Sequence, residues 1–438
     1  MNPSHQTEGW WDRFRMPARV GYVVILLLAT LTPFDADATG AHVAARFANA
    51  LHPTFAGRDV IDGARNVVLF AGWGVVWTLT ATGKVARIAA QATLTGACIS
   101  AAVETAQLFS TNRISSLLDL ATNTGGSLAG GAVLLALVAL ASERRGARSF
   151  VGIPALLFAG SYGLAAWLEA VIPLFRQDPV SGAQGGPLTR FAASAAAFRL
   201  ASLTDFSWSD LPIFPPAGAF AVAAMAEHGV PYGRAYRQVA LGGVGLALVA
   251  ELLHGFLGQP MLLGAFLVHA SVVAVGAWIA SRTLPRLTVA LRGAMRPQAL
   301  SVTYALVLAT WALRPFLPDI YPADIAAKLA EPWYVPLAKL GGRVDFFSVV
   351  DVCAPFFLYL PLGGLLAVWP IRRQGWLSGP LPGVWLALAL ETAQLLVLDR
   401  TLDITDVLVQ ASGVVIGWAI VRRAGYKTYG ETSPARAS

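Results

Sequence analysis

Residues 104–108 read Glu104-Thr105-Ala106-Gln107-Leu108, and the same five letters return as Glu391-Thr392-Ala393-Gln394-Leu395. The agreement continues on both sides. Gly96 matches Gly383, and Arg113, Asp119, Gly126 and Gly130 match Arg400, Asp406, Gly413 and Gly417, always 287 positions apart. A fixed spacing that includes polar residues marks a duplication. A third, eroded copy lies between the two. Gly243 and Ala247 lead to Glu251 as Gly96 and Ser100 lead to Glu104, and His254 stands at the Gln107 position. After a one-residue deletion His269 falls opposite Asn123 and Gln410, and Gly276 opposite Gly130 and Gly417. That copy lacks the arginine and the aspartate.

Composition fixes the class. Of 438 residues 56% are hydrophobic and only 13% charged, with mean hydropathy +0.59. Soluble domains carry about twice that charged fraction, so the chain reads as an integral membrane protein. The net charge of +7 does not indicate nucleic-acid binding, because the basic residues sit in short connections between apolar spans. Cys98 and Cys353 both lie in apolar runs and are expected as free buried thiols, with no disulfide and no metal site.

The first apolar run, Val20 to Phe34, follows Arg13, Arg15 and Arg19, and Ala36-Asp37-Ala38 after it resembles a leader cleavage site. Its ending, Leu31-Thr32-Pro33-Phe34, returns as Ile172-Pro173-Leu174-Phe175 and Leu313-Arg314-Pro315-Phe316 deep inside the chain. It is therefore expected as a retained first span. Each unit continues with an outer loop carrying a weakly amphipathic helix of the kind that lies in a membrane interface. A second span follows, starting near Asp62 or Asp351, then a third with the Gly-small-Glu stripe and a fourth with the Asp/Gly stripe. The expected architecture is all-α and polytopic, with about twelve transmembrane helices in three four-helix units at 1–145, 146–285 and 286–425 and a polar tail at 426–438. The connections on one side are basic, among them Lys84 and Arg87, Arg144 and Arg145, Arg372 and Arg373, and Arg422 and Arg423. The positive-inside rule places both termini in the cytoplasm and Arg113 and Arg400 outside.

The polar residues fall on two helical faces. Glu104 and Gln107 share the face that presents Gly96 and Ser100, and Asp119, Asn123, Gly126 and Gly130 form one stripe on the next span. Facing each other, these stripes set Glu104 and Asp119 beside the turn that holds Arg113, and the last unit repeats this with Glu391, Gln394, Arg400, Asp406 and Gln410. Ionisable groups at the membrane centre cost roughly 2.5–3.5 kcal/mol each on insertion scales, so each carboxylate pair needs compensation, which the arginine supplies. The cluster is either a polar pocket opening outward, with arginine offered to a phosphate or carboxylate, or an ion-pair network that merely binds the hairpin. Asp62 and Asp351 either join it or cap their helices. His254 and His269 have no metal-ligand spacing and read as polar packing. No nucleophile elbow, phosphate loop or dinucleotide glycine motif is present.

These residues resemble the VanZ-like family. Its marks are Glu-x2-Gln late in span three, an arginine in the outer turn, Asp, Asn and Gly on span four, and Asp and Asn at span two. Asp62, Asn66, Glu104, Gln107, Arg113, Asp119, Asn123 and Gly126 carry them in the first unit, and Asp351, Pro361, Gly363, Glu391, Gln394, Arg400, Asp406 and Gly413 in the last. Pro355 and Gln410 stand in the last unit where the family pattern has asparagine. The resemblance implies a bacterial cell-envelope protein. Its namesake is associated with low-level teicoplanin resistance, and relatives occur with envelope and exopolysaccharide genes. The expected function is binding of an anionic lipid-linked or glycan envelope component at the outer face of the plasma membrane, without a cofactor and without nucleic acid. Two rivals stay open: a hydrolase or transferase using a carboxylate pair, and a proton-coupled transporter.

Overall fold

A computed structural model describes residues 4–31, 36–51, 57–111, 115–142, 155–171, 187–196, 213–256, 258–290, 297–314, 316–335, 347–369 and 379–424. The described residues form helices and connections, with no strand among them and two isolated bridges. The helices come in three sets of five. The first set is α1 (Ser4–Leu31), α2 (Gly40–Ala50), α3 (Gly57–Thr80), α4 (Val85–Gln107) and α5 (Leu117–Ser142). Next come α6 (Ala155–Val171), α7 (Pro187–Ala196), α8 (Phe214–Glu227), α9 (Tyr232–Phe256) and α10 (Leu263–Ala290). The last set is α11 (Pro297–Ala312), α12 (Pro322–Ala330), α13 (Phe347–Val368), α14 (Leu381–Gln394) and α15 (Ile404–Arg423). In each set the second helix is short, at 11, 10 and 9 residues. These short helices fall at the amphipathic segments expected from sequence.

Four helices among the described residues are long and apolar enough to cross a membrane: Leu117–Ala139, Tyr232–Phe256, Leu263–Arg286 and Ile404–Arg423. Inside a bilayer a helix satisfies its own backbone groups, which is why apolar runs of this length take that form. Others fall short of the criterion. Among these are α8 and α14, with 14 residues each.

The chain divides into two compact units, Met1–Ala139 with Lys339–Val349, and Leu140–Ala338 with Val350–Ser438. In the first unit α1 packs on α3, where Leu26 is enclosed with Phe70 and Trp73. α3 also lies against α5 along bare glycine backbone. A Cβ on Gly74 would strike the Ser127 carbonyl, and one on Gly126 or Gly130 would strike Val67 or Ala71. The sequence stripe on α5 is thus split. Its glycines seat on α3 rather than on α4, because only a bare Cα admits a neighbouring carbonyl so closely. Of its polar members Asn123 turns to α4, where its Nδ2 donates to Ser100 Oγ at 2.9 Å.

The second unit repeats the glycine contact twice. Gly218 of α8 faces the Val273 carbonyl of α10 and Gly276 faces Pro215; Gly363 of α13 faces the Val414 carbonyl of α15, and Gly413 and Gly417 face Phe356 and Leu360. An aromatic cluster of Phe158, Tyr162, Phe220 and Tyr304 joins α6 and α8 to α11, and Tyr304 OH donates to the Leu358 carbonyl of α13 at 2.8 Å.

Gly130→Val must push α5 off α3, an overpacking that costs about 1–3 kcal/mol or more. The expected result is a lower melting temperature in detergent for Gly130→Val and none for Gly125→Val, whose added side chain meets nothing within 4 Å. Equal melting of the two variants would refute the contact.

Candidate functional site

The site is built at the end of the α4–α5 hairpin. Glu104 occupies the last turn of α4 and is buried, and its Oε2 accepts the Ser116 N–H at 2.8 Å. Ser116 begins α5 and accepts the Leu118 N–H at 3.1 Å through its own hydroxyl, an N-cap. The carboxylate of Glu104 thereby fixes the start of the following helix. Asp119, one turn on, lies within electrostatic reach of Glu104 and accepts from Asn66 Nδ2 of α3 at 2.8 Å. Gln107 is committed as well, donating to the Thr30 carbonyl at the end of α1 at 2.9 Å. Four helices therefore converge on one polar knot. Arg113, and the side chains of Asp62 and Asp351, lie outside the described residues.

The last set assembles the same positions with different bonds. Glu391 is fully buried and its Oε1 accepts from Gln394 Nε2 at 2.9 Å and Gln410 Nε2 at 2.8 Å. Its Oε2, the Gln410 Oε1 and the Tyr359 hydroxyl are buried without a hydrogen-bond partner. Asp403 caps α15, accepting the Thr405 N–H at 2.7 Å. Arg400, Asp403 and Asp406 all lie within electrostatic reach of Glu391. Arg400 is half-buried and its Nε donates to the Arg314 carbonyl at 3.0 Å. The sequence expectation that the acids gather beside the hairpin turn with this arginine is met here by proximity.

The middle set keeps the glutamate and changes its company. Glu251 Oε2 accepts the Leu262 N–H at 2.8 Å, eleven residues on, where Glu104 reaches the twelfth. His254 Nδ1 sits 3.2 Å from the same oxygen, and His269 stacks on Phe214 at 4.7 Å. The two histidines thus go to different partners.

Sequence reading missed a clamp over the hairpin turn. Ala36 bridges to Ser110 and Asp37 N–H donates to the Phe109 carbonyl at 2.7 Å. Pro318 bridges to Val397 and Asp319 N–H donates to the Leu396 carbonyl at 2.9 Å, the same bonds 287 positions later on the hairpin side. A cation from the short helix then crosses the turn. Arg46 Nη2 donates to the Thr111 carbonyl at 2.7 Å, and Lys328 Nζ donates to the Leu395 and Val397 carbonyls at 3.2 and 2.9 Å while pairing with Asp319 at 2.7 Å. The Asp37 carboxyl is held below the usual carboxylate range, first by the Thr39 backbone N–H, which donates to it at 2.9 Å. The sequence signal was present as Arg46 and Lys328, each thirteen residues after the proline of the Pro-Phe pair.

Residues 14–139 and 304–425 each match the VanZ/LLP1 family. The chain belongs to the VanZ/LLP1 family. One match covers α1–α5 and the other α11–α15, so both carry a complete glutamate hairpin with its clamp. No curated protein and no solved structure matches the chain. The VanZ/LLP1 membership and the apolar helices together make this a membrane protein.

Removing Lys328 leaves Asp319, 5% exposed, without its counter-charge. Lys328→Met is expected to destabilise by about 3–5 kcal/mol, as loss of one partner of a buried pair does, and Lys328→Met with Asp319→Asn to recover part of that. Chemical unfolding of both variants in micelles is the measurement; a double variant no better than the single one would show that the pair carries no coupling.

Proposed function

We propose that this VanZ/LLP1 protein is a multi-pass protein of the bacterial plasma membrane that binds an anionic lipid-linked or glycan envelope component at its outer face. In this reading about twelve helices cross the bilayer in three four-span units, both termini are cytoplasmic, and α2, α7 and α12 lie at the outer interface. The repeated order of five helices and the basic connections support that topology. The middle set is a third, eroded unit, supported by its matching glycine contacts and by the Glu251 bond across a turn one residue shorter.

The observation that carries the binding reading is Arg400. Its Nε is anchored on the Arg314 carbonyl, while neither Nη group has a hydrogen bond among the described residues. A guanidinium held by one edge presents a two-pronged donor that matches phosphate or carboxylate geometry. Asp403, Asp406 and Glu391 set the local field that orients it, and Arg113 has the corresponding position in the first unit. Glu104, Gln107, Asp119, Asn123 and Gln394 hold the hairpin ends in shape.

The experiment is lipid analysis of the purified protein by native mass spectrometry. Wild type is expected to retain an anionic lipid-linked species, and Arg400→Ala to lose it roughly 10- to 100-fold, the value of a charge-assisted hydrogen-bond pair. Unchanged melting alongside that loss supports binding. A large drop in melting with unchanged lipid content would instead make Arg400 a structural strut.

One observation favours a second reading, proton-coupled transport. Glu391 is fully buried, and its Oε2 has no donor. A carboxyl so placed is suited to carry a proton. Substrate-dependent proton flux in proteoliposomes that vanishes in Glu391→Gln would establish it; absence of flux in wild type would remove it.

A further inference from the structure

The middle set of helices forms an open-sided pocket of about 260 Å³ between α6, α8, α9 and α10. No lining residue is an acid, a lysine or an arginine, and the ring of His269 stacks on Phe214. The origin of the space is visible in the register of the glycine contacts. Gly74 of α3 meets the Ser127 carbonyl as Gly218 of α8 meets the Val273 carbonyl, so Trp73 and Trp77 correspond to Ala217 and Ala221. In the first unit Trp73 is 3% exposed and fills the interior beside Phe70, with its Nε1 donating to Thr95 Oγ1 at 3.1 Å. In the last set the corresponding Leu362 and Leu366 are equally buried, at 3% and 4%. Only in the middle set do small side chains stand at both places, and Ala217 and Ala221 both line the cavity. The partner of Trp73, Thr95, is likewise replaced there, by Gly242.

Two further features describe what would fill it. The rim is apolar. Gly163 and Gly242 line the opening, each with nothing within 4 Å of an added Cβ, and they are flanked by Leu164, Leu241 and Leu246, all exposed. On a membrane protein such leucines face hydrocarbon, so what enters past them comes from the bilayer. The second feature is polar. The indole Nε1 of Trp167, a lining residue near the C-terminal end of α6, is buried without a hydrogen-bond partner. A buried tryptophan N–H ordinarily finds an acceptor, and an orphaned donor in an apolar site costs about 1–3 kcal/mol.

We propose that the middle set holds one acyl chain of a bilayer glycerolipid in this cavity, entering between α6 and α9, with its ester carbonyl accepting from Trp167 Nε1. The truncated pair Ala217 and Ala221 receives the chain where the first unit has two indoles. The site is separate from the arginine ends of the hairpins, and it stands whether or not those bind an anion.

The test uses the full-length protein in phosphatidylcholine vesicles doped with a phosphatidylcholine whose chain carries a diazirine. This headgroup has no net charge, so the outcome is independent of the anion reading. Illumination is expected to label peptides bearing the cavity wall as well as the exposed Leu241. Ala217→Trp, which restores the indole of the first unit, removes the wall label and leaves Leu241 labelled. Gly163→Phe blocks the rim without entering the packed interior and gives the same result if Ala217→Trp fails to fold. An ether-linked analogue, lacking the carbonyl, labels the wall roughly two- to tenfold less than the ester in wild type and equally in Trp167→Phe, the value of one hydrogen bond. Label confined to Leu241 in wild type, or wall label unchanged by Gly163→Phe, would overturn the proposal.

Discussion

A carboxylate buried near the end of an apolar helix must be given donors, and this requirement shapes the rest of the protein. Left unpaired in a low-dielectric interior, such a group costs several kcal/mol. Glu104 meets it with the Ser116 N–H, and Glu251 with the Leu262 N–H. A bond from a side chain to a backbone donor eleven or twelve residues on fixes the length and path of the intervening turn. The same bond sets where the next helix begins. Once that is fixed, the glycine faces of α5, α10 and α15 arrive opposite α3, α8 and α13 in register, and the close contacts follow.

The turn itself exposes carbonyls that no helix can satisfy. The short helices supply the donors: Arg46 in the first unit and Lys328 in the second cross the turn and bond its carbonyls, and the preceding loop adds a bridge at Ala36 and Pro318. The short amphipathic helix closes the turn end of the hairpin, and its cation is held by backbone on one side and, in the last set, by Asp319 on the other. Arg400 of the last turn, by contrast, is bonded among the described residues through its Nε alone.

Much of this was legible in the letters. The exact recurrence around Glu104 and Glu391 gave the hairpin, the polar stripe and the helical class, because in lipid the apolar periods and the few polar positions both carry strong energetic meaning. Glu251 bonds the N–H of the eleventh residue after it, where Glu104 bonds that of the twelfth. Two things were not legible. The glycines of α5 were assigned to α4, because a stripe read on one helix does not say which neighbour each edge of it meets. The clamp was missed because the distance from Pro33 to Glu104 differs from that between Pro315 and Glu391, so Arg46 and Lys328 leave the 287 register and join a different one. Identity at constant offset finds one rigid element at a time.

The differences between the two VanZ/LLP1 copies are themselves coupled. Asn123 donates to Ser100, and at the corresponding places stand Gln410 and Ala387. Without a hydroxyl at Ala387 a side-chain amide on α15 would lose its acceptor; the longer glutamine reaches Glu391 instead, at 2.8 Å. Glu391 then draws its donors from Gln394 and Gln410, both on one oxygen, and its second oxygen, like the buried Gln410 carbonyl and the Tyr359 hydroxyl, has no hydrogen bond. In the middle set the same two places are Ala247 and His269, and the histidine, also deprived of a hydroxyl, stacks on Phe214, which occupies the Tyr359 position. With serine at this place on α4 and alanine on α9 and α14, the facing side chain thus has three different partners: Asn123 meets Ser100, Gln410 meets Glu391, and His269 meets Phe214.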